Sequence, residues 1–300
     1  MELSWLMKFR IAAAAVVGAA LIGFMAWPLV KPADPLGAVS VFSGMISFGD
    51  AIIIIALAVA SGFIAYFISW PYGCHIGILA APFGLVIWAV RSGNVAEILQ
   101  QNPSLAQRQA LYASFVWEPI FWLAVVAAGF AGVMLAQKIR SKSKADQIFV
   151  KFDTSFNNCL NAAIALIGSA LIAYIGLRIF AQDVQMPNES MGTVIAQPAI
   201  GQIAFAILLS FGLAAFAVKH FLNASFIWPI IAFVLVTSYA NIVYANHDIL
   251  QYLTLKWPAV FFSTSATAIL PVQMAAFGTL GAVAGYWSAL RYDYWRKHEC

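Results

Sequence analysis

Two carboxylates, Asp50 and Glu118, are the residues of this 300-residue chain whose type and surroundings best fit chemistry. Asp50 precedes the apolar run AIIIIALAVASGFIAYFIS, and Glu118 precedes PIFWLAVVAAGFAGVMLA. An ionisable group against hydrocarbon is costly to keep charged, so such groups are candidates for moving protons or cations. The plainer role is a carboxylate at a helix N-terminus, where the helix dipole favours negative charge at the membrane interface. That plainer role is the one taken here for both. It carries an expectation: if Glu118 is only interfacial, Glu118→Gln leaves stability nearly unchanged.

A second polar group is Thr237, Ser238, Tyr239, Asn241, Tyr244, Asn246, His247 and Asp248, within an otherwise apolar stretch. One polar side on a helix would line an aqueous path, with Asp50 and Glu118 at its outer mouth. Ser, Thr and Asn also hydrogen-bond between membrane helices, and Asp248 suits the cap of a helix over 249–256. The structural role is again preferred. His75, His220, His247 and His298 are too scattered for a metal or haem site, which would need paired ligands at one depth. His247 beside Asp248 is a weak ligand pair and reads as an interfacial, solvated one. Cys74, Cys159 and Cys300 lack ligand spacing and are expected to be reduced thiols. No HExxH, GxSxG, Walker A or dinucleotide-binding pattern occurs. The expectation is therefore no catalytic residue, no cofactor, no metal and no enzyme.

The elements that hold these residues are membrane helices. Hydrophobic residues make up 63% of the chain and charged ones 9%, and the mean hydropathy is +0.86. A soluble domain carries about a quarter charged residues, so that class is excluded. The net charge of +4 resides at the ends of apolar runs, a sign of orientation in a membrane. It is not the basic face that nucleic-acid binding requires.

The one long polar run, 138–153 (KIRSKSKADQIFVKFD), divides two similar halves. Gly49 and Gly201, Pro119 and Pro271, and Gly129 and Gly281 are each 152 positions apart, and Ile98-Leu99-Gln100 recurs as Ile249-Leu250-Gln251. The reading is a first repeat over 1–137, a basic linker over 138–153 and a second repeat over 154–300. Spans are expected at 9–30, 48–70, 76–91 and 117–137, then 157–180, 201–221, 226–246 and 269–290, each near the ~20 residues that cross a bilayer. Lys8 and Arg10 before the first span raise the question of a signal peptide. Its counterpart at 157–180 argues that it is retained. Residues 31–47 are expected to be a loop, and 92–116 short surface helices with Asn94 and Glu97 as an N-cap pair. Pro82 is expected to kink the third span. Gly281-xxx-Gly285 permits a close helix crossing, expected between the two repeats.

Lys and Arg set the orientation. With the N-terminus inside, eleven fall on the cytoplasmic side and five (Lys31, Arg91, Arg108, Arg178, Lys256) on the other. Both termini are then cytoplasmic, and four spans per repeat make the repeats parallel. The fold expected is all-α: a polytopic membrane protein of eight transmembrane helices as two tandem parallel four-helix repeats, in a bacterial-type inner membrane. Its partners are membrane lipids and other membrane subunits. Two functions fit: a structural or assembly subunit of a membrane complex, which is preferred, and a small transporter or channel with a pathway between the repeats.

Overall fold

The computed structural model describes residues 4–32, 37–41, 46–102, 104–140, 156–182, 184–188, 192–246, 248–251 and 265–298. The long apolar runs are helices, because in hydrocarbon a backbone must satisfy its polar groups within the segment. Helix α1 (Trp5–Gly18) continues through a π-helical stretch, Ala19–Met25, into α2 (Trp27–Val30). Then come α3 (Phe48–Ile68), the short α4 (Gly73–Ile76) and α5 (Ala80–Arg91). Helices α6 (Val95–Gln101) and α7 (Leu105–Phe115) lead into α8 (Glu118–Arg140). The second half holds α9 (Phe156–Phe180), α10 (Ile200–Leu222), α11 (Ile227–Tyr244) and α12 (Pro271–His298).

Among the described residues, seven helical stretches are long and apolar enough to cross a membrane: Trp5–Met25, Phe48–Ile68, Gly73–Arg91, Leu105–Arg140, Cys159–Phe180, Ile200–Leu222 and Ile227–Tyr244. The eighth expected span, 269–290, falls on α12, of 28 residues, which is not apolar enough to count among the seven. The reason lies in its surroundings. Residues Leu270–Thr279 are all buried, so this half of α12 faces protein and does not need a lipid-facing surface. Helix α12 packs on α10 most extensively, then on α5, α11 and α8.

A strand pair, which an all-helical reading does not foresee, links α9 to α10. Strands β1 (Val184–Asn188) and β2 (Gly192–Ala196) are antiparallel, with Met186 opposite Val194. The β-branched Val194 and Ile195 suit this conformation.

In the first half, α3 packs chiefly on α8, and α1 with its π-helical extension packs on α3 and α5. In the second, α10 packs chiefly on α12, and α9 packs on α10 and α11. Glycines set both principal crossings. A Cβ on Gly132 would fall 2.0 Å from the Val59 carbonyl oxygen, and one on Gly285 2.0 Å from that of Gly212. Helices α10 and α12 meet at Gly281 and Gly285, so this small-residue face works inside the second half, not between the halves as expected. Between the halves, α12 lies on α5, α11 on α7 and α8, and α12 on α8.

Pro82 acts upstream of itself. It offers no N–H to the carbonyl of Ile78, and the chain there forms a 3₁₀ turn, Gly77–Leu79, between α4 and α5. The loop before α3 is more deeply held than a surface loop. Residues 37–40 are buried, with the Val39 N–H donating to Ser92 Oγ at 2.8 Å and the Gly93 N–H to the Gly37 carbonyl at 3.1 Å.

Helices α6 and α7 are likewise partly internal: Val95, Leu99, Tyr112 and Phe115 are buried.

The helices alternate, so the bundle has two ends. Arg10 over the Tyr72 ring, Arg140 over Trp70, and His220 beside Asp293 gather the starts of α1 and α4 with the ends of α3, α8, α10 and α12. This end, near the chain termini, is called proximal. Residues 91, 118, 180, 200 and 244 mark the distal end.

Candidate functional site

Glu118 is the first residue of α8 and is fully buried, not exposed at an interface as the sequence implied. Three donors converge on it. The Ser40 hydroxyl donates to Oε2 at 2.9 Å, and the Val41 N–H to Oε1 at 3.2 Å. The Trp122 indole N–H donates to Oε1 at 3.0 Å, one helical turn on. The Trp122 ring meets that of Trp88 edge-on, centroids 5.9 Å apart. Trp88 in turn donates its indole N–H to the Gly23 carbonyl at 3.1 Å, within the π-helical stretch. One carboxylate thus joins the loop before α3 to α8 and, through two tryptophans, to α5 and the first span.

The chemistry of this set is one-sided. Every group aimed at Glu118 is a donor, which suits a carboxylate accepting charge-assisted hydrogen bonds. Metal coordination would need further oxygen, nitrogen or sulfur ligands. Among the described residues no group of three or more His, Cys, Asp or Glu is arranged to hold a metal ion.

The polar side of α11 reaches the same region. Ser238 Oγ donates to the Val116 carbonyl at 2.7 Å, and Asn241 Nδ2 to the Phe115 carbonyl at 3.2 Å. Both carbonyls that accept belong to the other half of the chain, two and three residues before Glu118. Tyr244 is buried against Tyr112, ring centroids 4.1 Å apart. Thr237 bonds back to the Phe233 carbonyl of its own helix at 2.7 Å. So Ser238 and Asn241 reach the backbone just before Glu118, Tyr244 packs on Tyr112 of α7, and Thr237 serves its helix.

The remaining candidates lie elsewhere. Tyr239 is 56% exposed and faces outward, its ring edge-on to Tyr174. Asp50 completes a capping box with Ser47 at the start of α3, its Oδ2 accepting from the Ser47 hydroxyl at 2.7 Å. Asn246 accepts from the Asp248 N–H at 3.0 Å, and both are exposed at the start of a helical segment at 248–251. His247 lies outside the described residues.

Several partners carry no sequence signal that singles them out. Gln197 accepts from the Ala96 N–H at 2.9 Å and donates to the Ala268 carbonyl at 2.8 Å, tying both halves together at the distal end. Gln273 accepts from the Leu270 N–H at 3.0 Å and caps the start of α12. Gln202, at the repeat position of Asp50, donates to the carbonyls of Phe180, the last residue of α9, and of Gln182. Only the Glu118–Trp122 pair could be found by pattern, through its i, i+4 spacing. Comparison with known proteins finds no family model, no curated protein and no solved structure that matches this chain.

Proposed function

We propose that this chain is a non-catalytic integral membrane protein, a structural or assembly subunit built from two tandem parallel four-helix repeats. Both termini lie in the cytoplasm, and the membrane is a bacterial-type inner membrane. The partners are other membrane subunits and the surrounding lipid.

One observation carries this reading. Where α12 meets the first half, on α5 and α8, its residues 271–279 are all buried in protein. Ser238 and Asn241, which a pathway would need facing water, each donate to a backbone carbonyl of the other half. A repeat is supported by the matching order of packing. The second helix of each half lies chiefly on the fourth, and the first on the second and third. Across the middle, α12 on α5 answers α8 on α11. This is what a two-fold axis along the membrane normal would produce.

The second reading, a small transporter or channel, is favoured by one feature: a fully buried carboxylate, Glu118, close to where the halves meet. Single-cysteine variants at Asp50, Glu118, Asn241 and Asn246, with the native cysteines replaced, separate the two. A membrane-impermeant thiol reagent is expected to label positions 50 and 246, and neither 118 nor 241. Labelling at 118 and 241 would mean a water path and would hand the case to the transporter.

A further inference from the structure

We propose that the proximal end binds the headgroup of an anionic phospholipid at the turn Trp70–Pro71–Tyr72, through Arg10 and Arg140. The proposal rests on the chain spanning a membrane and is independent of which face is cytoplasmic. Arg10 from α1 lies over the Tyr72 ring, 5.7 Å from its centroid, and Arg140 from the end of α8 lies over Trp70 at 3.1 Å. Residues 130 positions apart in sequence thus bring two guanidiniums to one three-residue turn. A guanidinium resting on an aromatic face keeps its N–H edge open, and that edge matches a phosphate's paired oxygens.

Among the described residues, no acid pairs with either arginine. The one ion pair among the described residues is His220 with Asp293, 3.1 Å apart, and neither arginine takes part. Lys8, Lys138 and Lys219 add further positive charge at the same end. What separates a lipid from a free anion is the apolar surface that continues from the turn. Ile64 and Ile68 on α3, and Leu135 and Ile139 on α8, are exposed within two turns of Trp70 and Arg140, and α3 and α8 pack side by side. Acyl chains would lie along that surface while the phosphate meets the arginines, at the level where tryptophan and tyrosine settle in membranes.

The test uses the full chain, reconstituted in vesicles of equal parts phosphatidylglycerol and phosphatidylcholine with identical acyl chains. Lipid retained through detergent extraction is then weighed by native mass spectrometry. Phosphatidylglycerol is expected to be enriched on the wild type, and Arg10→Gln/Arg140→Gln to lose that preference by about tenfold or more, the scale of two juxtamembrane basic residues. Arg91→Gln, at the distal end over Trp27, should leave it intact. Equal retention of the two lipids on the wild type would overturn the proposal without recourse to any variant. So would displacement of the lipid by millimolar inorganic phosphate, which would point to a soluble anion, or an undiminished preference in a double variant that elutes like the wild type.

Discussion

Glu118 shows how far a single buried acid can be from the interfacial role its position implies. Its three donors come from residues 40, 41 and 122: the Val41 and Trp122 N–H groups share Oε1, and the Ser40 hydroxyl meets Oε2. An amide in its place keeps the first oxygen but turns the second into a donor, so the Ser40 hydroxyl must turn round and accept. Glu118→Gln is therefore expected to destabilise the protein by about 1–2 kcal/mol, the margin of bonds to a charged group over neutral ones. Ser40→Ala removes one donor and leaves two, and should cost about 1–2 kcal/mol. Thermal unfolding in detergent micelles checks both. Equal melting temperatures for wild type and Glu118→Gln would mean that the network contributes nothing, and the earlier interfacial expectation would stand after all. The acid itself was legible in the sequence, and so was its place at the head of α8. Its burial was not, because Ser40 and Val41 reach it from a loop 77 and 78 positions away, and no local pattern reports such a contact.

At the scale of elements, glycine decides where helices cross. A Cβ at position 285 would meet the Gly212 carbonyl at 2.0 Å, with its carbon and Cα just behind, so only a shift of α10 against α12 could admit it. Gly168 on α9 has nothing within 4 Å of where its Cβ would sit. The two therefore respond in opposite senses to one change. Gly285→Ala should lower stability by more than about 2 kcal/mol, as overpacking does. Gly168→Ala should be neutral or raise stability by up to about 1 kcal/mol through helix propensity. Melting temperatures of the two variants measured side by side decide this, and a shared sign would refute the packing account. Helix existence and boundaries were readable from hydropathy: the expected 157–180 and 201–221 lie within a residue or so of α9 and α10. Which helix each glycine faces was not readable, since Gly-xxx-Gly states that a backbone approaches and never whose. The burial of α12 was hidden for a related reason. A helix wrapped by its own chain is under no pressure to be as apolar as lipid, so hydropathy understates it.

For the whole molecule, the charges at the two ends carry the strongest statement. Among the described residues, eight Lys and Arg lie at the proximal end (Lys8, Arg10, Lys138, Arg140, Lys219, Arg291, Arg296, Lys297) and four at the distal end (Lys31, Arg91, Arg108, Arg178). On the rule that basic residues gather at the cytoplasmic face, this excess supports the proposal that the proximal end, and with it both termini, lies inside. Where a reporter is inserted matters as much as its readout. Lys144, between the end of α8 and the start of α9 in the sequence, is a natural site. Gln197 is a poor one at the distal end, because its side chain bridges Ala96 and Ala268 and so fastens one half to the other. Insertion after Glu189, in the connection between β1 and β2, leaves that bridge intact. A phosphatase active only outside the cytoplasm is expected to be silent after Lys144 and active after Glu189. The reverse pattern would invert the molecule in the membrane. It would leave every helix contact where it is and show that charge at the span ends does not orient this chain.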